Sequence, residues 1–291
     1  MEREYTLGLY EKSMPSDLSW EQKMLSAKAA GFDYIEISID ETDTKLARLD
    51  MSKEERLELV RLMMVTGVPI RSMCLSGHRR YPLGSNDPEV EKRGMEIMEK
   101  AIQLAEDLGI RIIQLAGYDV YYEDSSFETK KRFLKNLKKA THMAEKAGVV
   151  LGFETMETEF MNTVEKAMKY TTLVDSPYLN VYPDIGNITN AAIEYKNDVL
   201  EDMMIGKGHL CAMHLKETVP GKFREIPFGT GHVNFKEAIA LAWQLGIRKY
   251  VTEFWYVGNE NWKEDLVFAH DMFEKMLDEQ MTGKDEKNVE S

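Results

Sequence analysis

Four apolar runs in this sequence carry, at or near their ends, a side chain that can bind a metal ion or transfer a proton. The runs are LGFE, NVYPDIGN, LCAMHLKE and KYVTEFW, and the side chains are Glu154, Asp184, His214 and Glu253. A buried carboxylate is unfavourable unless it is paired, hydrogen-bonded or bound to a metal ion. Carboxylates that meet also repel one another unless a positive charge lies between them. Oxygen donors with one imidazole suit Mn²⁺, Mg²⁺, Co²⁺ or Zn²⁺, so the set predicts one divalent metal ion.

The elements that must position these side chains repeat along the chain. Five glycines follow a helical pattern and precede a β-rich apolar run, and three further apolar runs lie at 5–10, 179–183 and 210–215. These glycines are Gly31, Gly67, Gly109, Gly148 and Gly246. Amphipathic helical stretches alternate with the runs at 18–30, 51–66, 88–108, 125–146, 162–175, 196–206, 234–245 and 261–280. Eight such pairs predict an α/β fold with a single (β/α)8 barrel, a TIM barrel.

The alternative fold is a doubly wound open sheet. That fold would be expected to carry a G-x-G-x-x-G after an early strand, which this sequence lacks. No linker rich in Pro, Gly or Ser divides the chain, so residues 1–280 are predicted to form one barrel domain. The polar residues 281–291 (MTGKDEKNVES) are predicted to form a disordered tail. In a barrel, the carboxyl ends of the strands form one rim, where the four side chains above would meet.

Charge and composition exclude some partners. The 291 residues carry a net charge of −13, from 50 acidic and 37 basic residues, which argues against binding nucleic acid or an anionic membrane. Cys74 and Cys211 form no C-x-x-C motif, which indicates a reducing compartment. The N-terminus MEREYTLGLY has no apolar signal core, and no apolar run approaches the ~20 residues of a membrane helix. We therefore expect a cytoplasmic protein.

Positively charged side chains and a histidine follow the first, third and seventh predicted strands at the same rim. Such residues can bind an anionic substrate, although a solvated basic turn is an equal alternative for the loop GHRRYPLGS. After the seventh strand, Gly229 and Gly231 open onto a helix, where backbone N–H groups can cradle phosphate. Glu36 lies within a strand and is expected to have a structural role only. The candidate substrate-binding residues are Lys12, His78, Arg79, Lys216, Lys222 and Arg224.

Several blocks of the sequence resemble one family over nearly the whole chain. GLYEK, SMCLSGHRRYPLGS, IQLAGYDVYY, VYPDIGN, MHLK and IPFG resemble the L-ribulose-5-phosphate 3-epimerases, also called L-xylulose-5-phosphate 3-epimerases. These belong to the xylose-isomerase-like barrels. The resemblance implies a metal held by Glu154, Asp184, His214 and Glu253, with the two glutamates also acting as acid and base. Related epimerases of free ketoses have a substrate-binding His three residues after the metal Asp; here that position is Asn187, which fits a phosphorylated substrate.

The resemblance implies an isomerase that inverts C3 of a ketopentose 5-phosphate through an enediolate, in pentose or ascorbate catabolism. No nucleotide cofactor is expected, because the oxidation state does not change. Another sugar isomerase or epimerase of the same superfamily is one alternative. A second is a phosphodiesterase of the endonuclease IV type, which would require several zinc ions and more His ligands than six His in an acidic chain favour. A third is a non-catalytic sugar-phosphate-binding protein. A homodimer is expected because barrels commonly pair.

Overall fold

The computed structural model describes residues 3–288, with the backbone alone for 284–288. Within these residues, eight strands alternate with helices along the chain. The strands are β1 (Thr6–Tyr10), β2 (Tyr34–Ile39), β3 (Ile70–Leu75), β4 (Ile112–Ala116), β5 (Val150–Glu154), β6 (Leu179–Tyr182), β7 (Met213–Leu215) and β8 (Lys249–Thr252). All paired strands are parallel, in the order β6-β5-β4-β3-β2-β1-β8-β7.

The two ends of this sheet, β6 and β7, meet and close the barrel. Parallel bridges join Val181 to Leu210 and Asp184 to His214. The backbone N–H of His214 donates to the Pro183 carbonyl at 2.9 Å. The predicted (β/α)8 barrel is therefore confirmed, and its carboxyl-end rim brings β5, β6, β7 and β8 side by side.

Ten α-helices are found in the described residues. They are α1 (Trp20–Ala29), α2 (Asp43–Leu46), α3 (Lys53–Thr66), α4 (Pro88–Leu108), α5 (Phe127–Ala147), α6 (Val164–Val174), α7 (Ile185–Tyr195), α8 (Val199–Ile205), α9 (Phe235–Gln244) and α10 (Trp262–Asn288). Glycines at positive φ end α3, α4 and α5, as the sequence pattern predicts: Gly67, Gly109 and Gly148. Among residues 3–288, no helix is long and apolar enough to span a membrane.

Helix α7 was not predicted, and it matters for the site. It begins directly after Asp184, whose side chain accepts a hydrogen bond of 2.8 Å from the Asn187 backbone N–H. The segment Ile185–Tyr195 is rich in Asn and β-branched residues, which favour helices weakly, so propensity alone hides the helix. The Asp184 cap and the burial of Ile185 and Ile188 in the core stabilise the helix despite this weak propensity.

The sequence predicts that a disordered tail starts at residue 281, within the span of the last helix. Helix α10 continues through that position to Asn288. The segment has no proline to stop it, and Met281 packs against the hydrophobic core. Residues 289–291 of the predicted tail lie outside the described part of the chain.

Candidate active site

The four side chains singled out by the sequence converge at the carboxyl ends of neighbouring strands. Glu154 is the last residue of β5, His214 lies within β7, and Glu253 directly follows β8. Asp184 caps α7, two residues beyond β6. All four are buried, and each offers a donor atom within 4.8 Å of the donor atoms of the others. The parallel bridge between Asp184 and His214 sets their common depth.

This donor set fits a divalent metal ion. Three carboxylates and an imidazole are the hard and borderline ligands that Mn²⁺, Mg²⁺, Co²⁺ and Zn²⁺ accept. The Lys216 ammonium pairs with Asp184 Oδ2 at 2.8 Å, but three buried carboxylates meet at this cluster. Carboxylates that lie this close repel one another, and a bound cation would relieve the repulsion.

Glu36 orients the imidazole of His214. The Nε2 atom of His214 lies 2.6 Å from Glu36 Oε1. The other oxygen, Glu36 Oε2, accepts from Ser72 Oγ at 2.7 Å and from Tyr182 Oη at 3.1 Å. Because the carboxylate can only accept, Nε2 carries a proton, and Nδ1 is the atom that faces the cluster. Nδ1 lies 3.1 Å from Glu253 Oε2. The expectation that Glu36 has a structural role only did not include this contact with a candidate metal ligand. The one signal for it is that Glu36 is a carboxylate within a strand that is fully buried.

The two glutamates of the cluster differ in their electrostatics. Burial raises the pKa of Glu154 well above its usual value, and the nearby negative charge of Glu253 raises it further. Burial acts the same way on Glu253, but the positive charges of Lys216 and His214 overcome it and hold the pKa of Glu253 well below its usual value. The two carboxyls of the cluster therefore lie in different electrostatic surroundings, Glu154 beside a negative charge and Glu253 beside two positive ones.

Lys216 reaches into the same cluster. It lies two residues beyond His214, so an extended backbone directs both side chains to the same side. Its ammonium is 2.8 Å from Asp184 Oδ2 and 3.4 Å from Glu253 Oε2, with the side chain 4% exposed. Burial would lower the pKa of Lys216, but these two carboxylates outweigh burial and raise it, so the side chain stays charged.

A small cavity of about 50 Å³ opens above the cluster. It is lined by Glu154 and Glu253, by four of the predicted substrate-binding residues, and by apolar and aromatic side chains. The four predicted residues are Lys12, Arg79, Lys216 and Arg224, and the other lining residues include Tyr10, Cys74, Met156, Glu157 and Trp255. Concave, mixed lining of this kind is typical of a small-molecule site.

Two arginines of this lining share one carboxylate. Arg224 donates to Glu157 Oε1 at 2.9 Å, and an Arg79 nitrogen lies 3.7 Å from the same oxygen. Burial would raise the pKa of Glu157, but Arg224 and Arg79 together lower it. Arg79 also lies over the ring of Tyr121, 4.9 Å from its centroid. The rim therefore holds two guanidinium groups around one anion, a geometry that also suits phosphate oxygens.

Three predicted substrate-binding residues do not line the cavity. His78 is buried and donates from Nε2 to the Gly94 carbonyl at 3.0 Å; burial lowers its pKa to about 4, so it is neutral. Asn187 lies in the first turn of α7 and donates to the Thr155 carbonyl at 2.7 Å, fixing the loop after β5. Lys222 is exposed in a turn.

The glycine loop after β7 is occupied by a carboxylate of the chain itself. The carboxylate of Glu217 accepts from the backbone N–H groups of Gly229 at 3.1 Å and Val233 at 3.2 Å. A Cβ at Gly231 would lie 2.2 Å from a Glu217 oxygen, so only glycine fits there. The suggestion of a phosphate cradle in this loop is wrong, because the chain's own carboxylate occupies the position.

The fold and the buried donor cluster define a class of protein. Residues 25–272 match the family described as xylose isomerase-like TIM barrel, and the chain belongs to that family. It is 44% identical over 272 residues to L-ribulose-5-phosphate 3-epimerase UlaE of Escherichia coli O17:K52:H18 (strain UMN026 / ExPEC), which covers 93% of this chain and 94% of the relative. The same-named protein of Salmonella paratyphi C (strain RKS4594) is 45% identical over the same shares.

Solved structures agree on the fold. The structure of an L-ribulose 3-epimerase superimposes with a TM-score of 0.74 at 18% identity, covering 99% of this chain and 98% of that one. At that identity the likeness supports the barrel and no more. The close relatives, by contrast, place the chain among the isomerases, as an epimerase. The alternative of a non-catalytic binding protein is thereby excluded.

Proposed function

We propose that this enzyme interconverts L-ribulose 5-phosphate and L-xylulose 5-phosphate by inverting C3, with one divalent metal ion as cofactor. The observation that carries the proposal is that Glu154 and Glu253 lie in one buried donor cluster, below a cavity lined by Lys12, Arg79 and Arg224. The names of the relatives that share 44–45% identity support the choice of substrate. No nicotinamide is required, because epimerisation leaves the oxidation state unchanged.

The residues can perform the two proton transfers that inversion requires. A divalent ion held by the four ligands would supply Lewis-acid stabilisation of negative charge next to the reacting carbon. One of the glutamates, Glu154 or Glu253, removes the C3 proton and leaves an enediolate. The other donates a proton to the opposite face of C3 and completes the inversion. Because Glu154 and Glu253 come from different strands, β5 and β8, their carboxyl groups can approach the reacting carbon from different directions, and they exchange roles in the reverse reaction.

The phosphate group is assigned to the rim. Arg79, Arg224 and Lys12 line the cavity above the cluster, and their charges favour an anion at the mouth. In the free protein, Glu157 pairs with both arginines, and Asp40 pairs with Lys12 at 2.5 Å. A phosphate would compete with these carboxylates for the same donors. Guanidinium groups bind phosphate oxygens in a bidentate manner, so the arginines are the stronger candidates.

The test is to incubate Mn²⁺-loaded protein with L-ribulose 5-phosphate in D₂O and to follow C3 by NMR. The proposal expects L-xylulose 5-phosphate to form and deuterium to enter at C3 of both sugars. An epimerase that acts at another carbon would place deuterium elsewhere, and such a result would overturn the C3 assignment. Unphosphorylated L-ribulose is the matched control, because it lacks only the group that the rim is assigned to bind.

Another alternative, a zinc phosphodiesterase, is less compatible with this site. Among the described residues, the donor cluster at the mouth contains a single histidine. The net charge of −13 also opposes binding of a DNA duplex. Cleavage of an abasic-site DNA duplex by the Mn²⁺- or Zn²⁺-loaded protein, with no change in ketopentose phosphates, would favour that alternative.

A further inference from the structure

The charges at the donor cluster do not balance with a divalent ion alone. Glu154, Asp184 and Glu253 together carry three negative charges when ionised, and a divalent ion supplies two positive ones. The ammonium of Lys216 supplies the third, and it contacts two of the three carboxylates, at 2.8 Å and 3.4 Å. Uncompensated charge in a buried site is disfavoured, so the lysine offsets the charge of the third ligand carboxylate. Glu36 is a separate carboxylate, held by His214, Ser72 and Tyr182.

The position of Lys216 is built into the fold. The first turn of α7 packs directly on its backbone, since a Cβ at Gly186 would lie 2.7 Å from the Lys216 carbonyl oxygen. The neighbouring Thr218 donates to the Gly186 carbonyl at 3.1 Å. The helix that Asp184 caps thus also fixes the residue whose ammonium pairs with Asp184. A surface lysine that swung in by chance would lack this support.

We propose that Lys216 balances the charge of the metal centre with two consequences. Its positive charge lowers the affinity of the site for the metal ion, and it raises the rate of turnover. Its positive charge repels the cation that shares Asp184 and Glu253 with it, so it weakens metal binding. The same charge attracts the negative charge that develops on the substrate during proton removal, so it favours the transition state. The effect on turnover rests on the proposed epimerase function, whereas the effect on metal binding concerns the protein and the metal alone.

Neutral substitutions at this position should therefore separate metal affinity from activity. In Lys216→Met, the dissociation constant for Mn²⁺ should fall by about tenfold or more, because a like charge beside the ion has been removed. Turnover of the ketopentose phosphate should fall by about 100-fold or more, with a smaller change in KM. A residue that merely holds the site together would behave differently, because its loss would weaken metal binding and activity alike.

The experiment titrates metal-stripped protein with MnCl₂ and follows free Mn²⁺ by electron paramagnetic resonance. Lys216→Arg keeps the charge and should bind Mn²⁺ like the wild type. Lys216→Gln keeps a hydrogen-bond donor without charge and should bind more tightly, which provides a second neutral variant if Lys216→Met folds poorly. Lys236→Met is the matched control, since that side chain is 74% exposed. Equal or weaker Mn²⁺ binding in both neutral variants would overturn the proposal.

The outcomes also distinguish this proposal from the proposed function. The Mn²⁺ titration contains no sugar, so tighter binding by the neutral variants supports the charge balance even if the wild type epimerises no ketopentose phosphate. In that case the substrate assignment fails and the metal-site inference stands. If the neutral variants bind Mn²⁺ more tightly but keep wild-type kcat and show only a raised KM, the role of Lys216 in turnover is overturned.

Discussion

Two buried ionic clusters lie at the ends of the paired strands β1 and β8, and they are balanced in opposite ways. At the donor cluster, carboxylates outnumber positive side chains. Just after β1, one carboxylate meets three cations: Glu11, with side-chain exposure of 0%, pairs with Lys23, Lys45 and Arg48. Glu11 also accepts from the backbone N–H of Ser38 at 2.8 Å.

The difference between the clusters shows how to distinguish a structural carboxylate from a functional one. Burial would raise the pKa of Glu11, but the three cations lower it to about 2. Burial raises the pKa of Glu154, with Glu253 adding to the effect. In the cluster around Glu11, side chains of the protein itself neutralise the carboxylate. The donor cluster leaves negative charge uncompensated, which is the condition for binding a cation from solution.

The largest effect is expected at the donor cluster. Glu253→Gln should lower turnover by about 10²–10⁴-fold, because it removes one of the two proton-transferring groups. Glu154→Gln should do the same. Epimerisation is measured by NMR with Mn²⁺ in excess, and urea unfolding checks that each variant is folded. Near-normal turnover in either metal-loaded variant would contradict the acid–base assignment.

At the other cluster the same chemical change should affect folding. Glu11→Gln leaves three buried or half-buried cations without their carboxylate, and the free energy of unfolding should fall by about 3–5 kcal/mol. Urea denaturation measures the loss. The matched control is Glu58→Gln on α3, an exposed pair with Arg61 at 3.5 Å, which should change stability by about 0.5 kcal/mol or less. If the two variants lost equal stability, the cluster around Glu11 would not be a structural core.

The pH dependence of stability should sharpen this distinction. The pKa of Glu11 is lowered from 4.5 to about 2 in the folded protein, so its contribution is fully present above about pH 4.5. As pH falls through 2, the unfolded state binds the proton more readily, and about 3 kcal/mol of stability is lost. The stability difference between wild type and Glu11→Gln should therefore shrink from pH 5 to pH 2. A constant difference across that range would contradict the lowered pKa.

The sequence could predict the barrel and the four cluster residues because both depend on local patterns. Glycine, an apolar run and a terminal polar residue recur with each strand, and parallel strands in a barrel bring their ends together. The contact of Glu36 with His214 could not be predicted, because it joins residues 178 positions apart whose side chains meet only when the barrel closes.

Two neighbouring residues in one loop show a second limit of prediction from the sequence. His78 and Arg79 were equal candidates for substrate binding, yet only Arg79 lines the cavity. A short 3₁₀ turn over Gly77–Arg79 turns the histidine into the core and the arginine toward the mouth. Polarity alone gives no information on the direction of such a turn. The predicted phosphate cradle failed for a similar reason, because Glu217, which lies earlier in the chain, accepts from the backbone N–H groups of Gly229 and Val233.

The smallest expected effect tests whether the metal ion binds to one cluster and not to the other. Mn²⁺ at about 100 times its dissociation constant should raise the free energy of unfolding by about 2.7 kcal/mol. Asp184→Asn should abolish this increase, and because Asn is also a good N-cap, α7 should keep its start. Glu11→Gln should keep the full increase from its lower baseline, since cations surround that carboxylate. A full increase in Asp184→Asn, or its loss in Glu11→Gln, would place the cation elsewhere and remove the contrast between the two clusters.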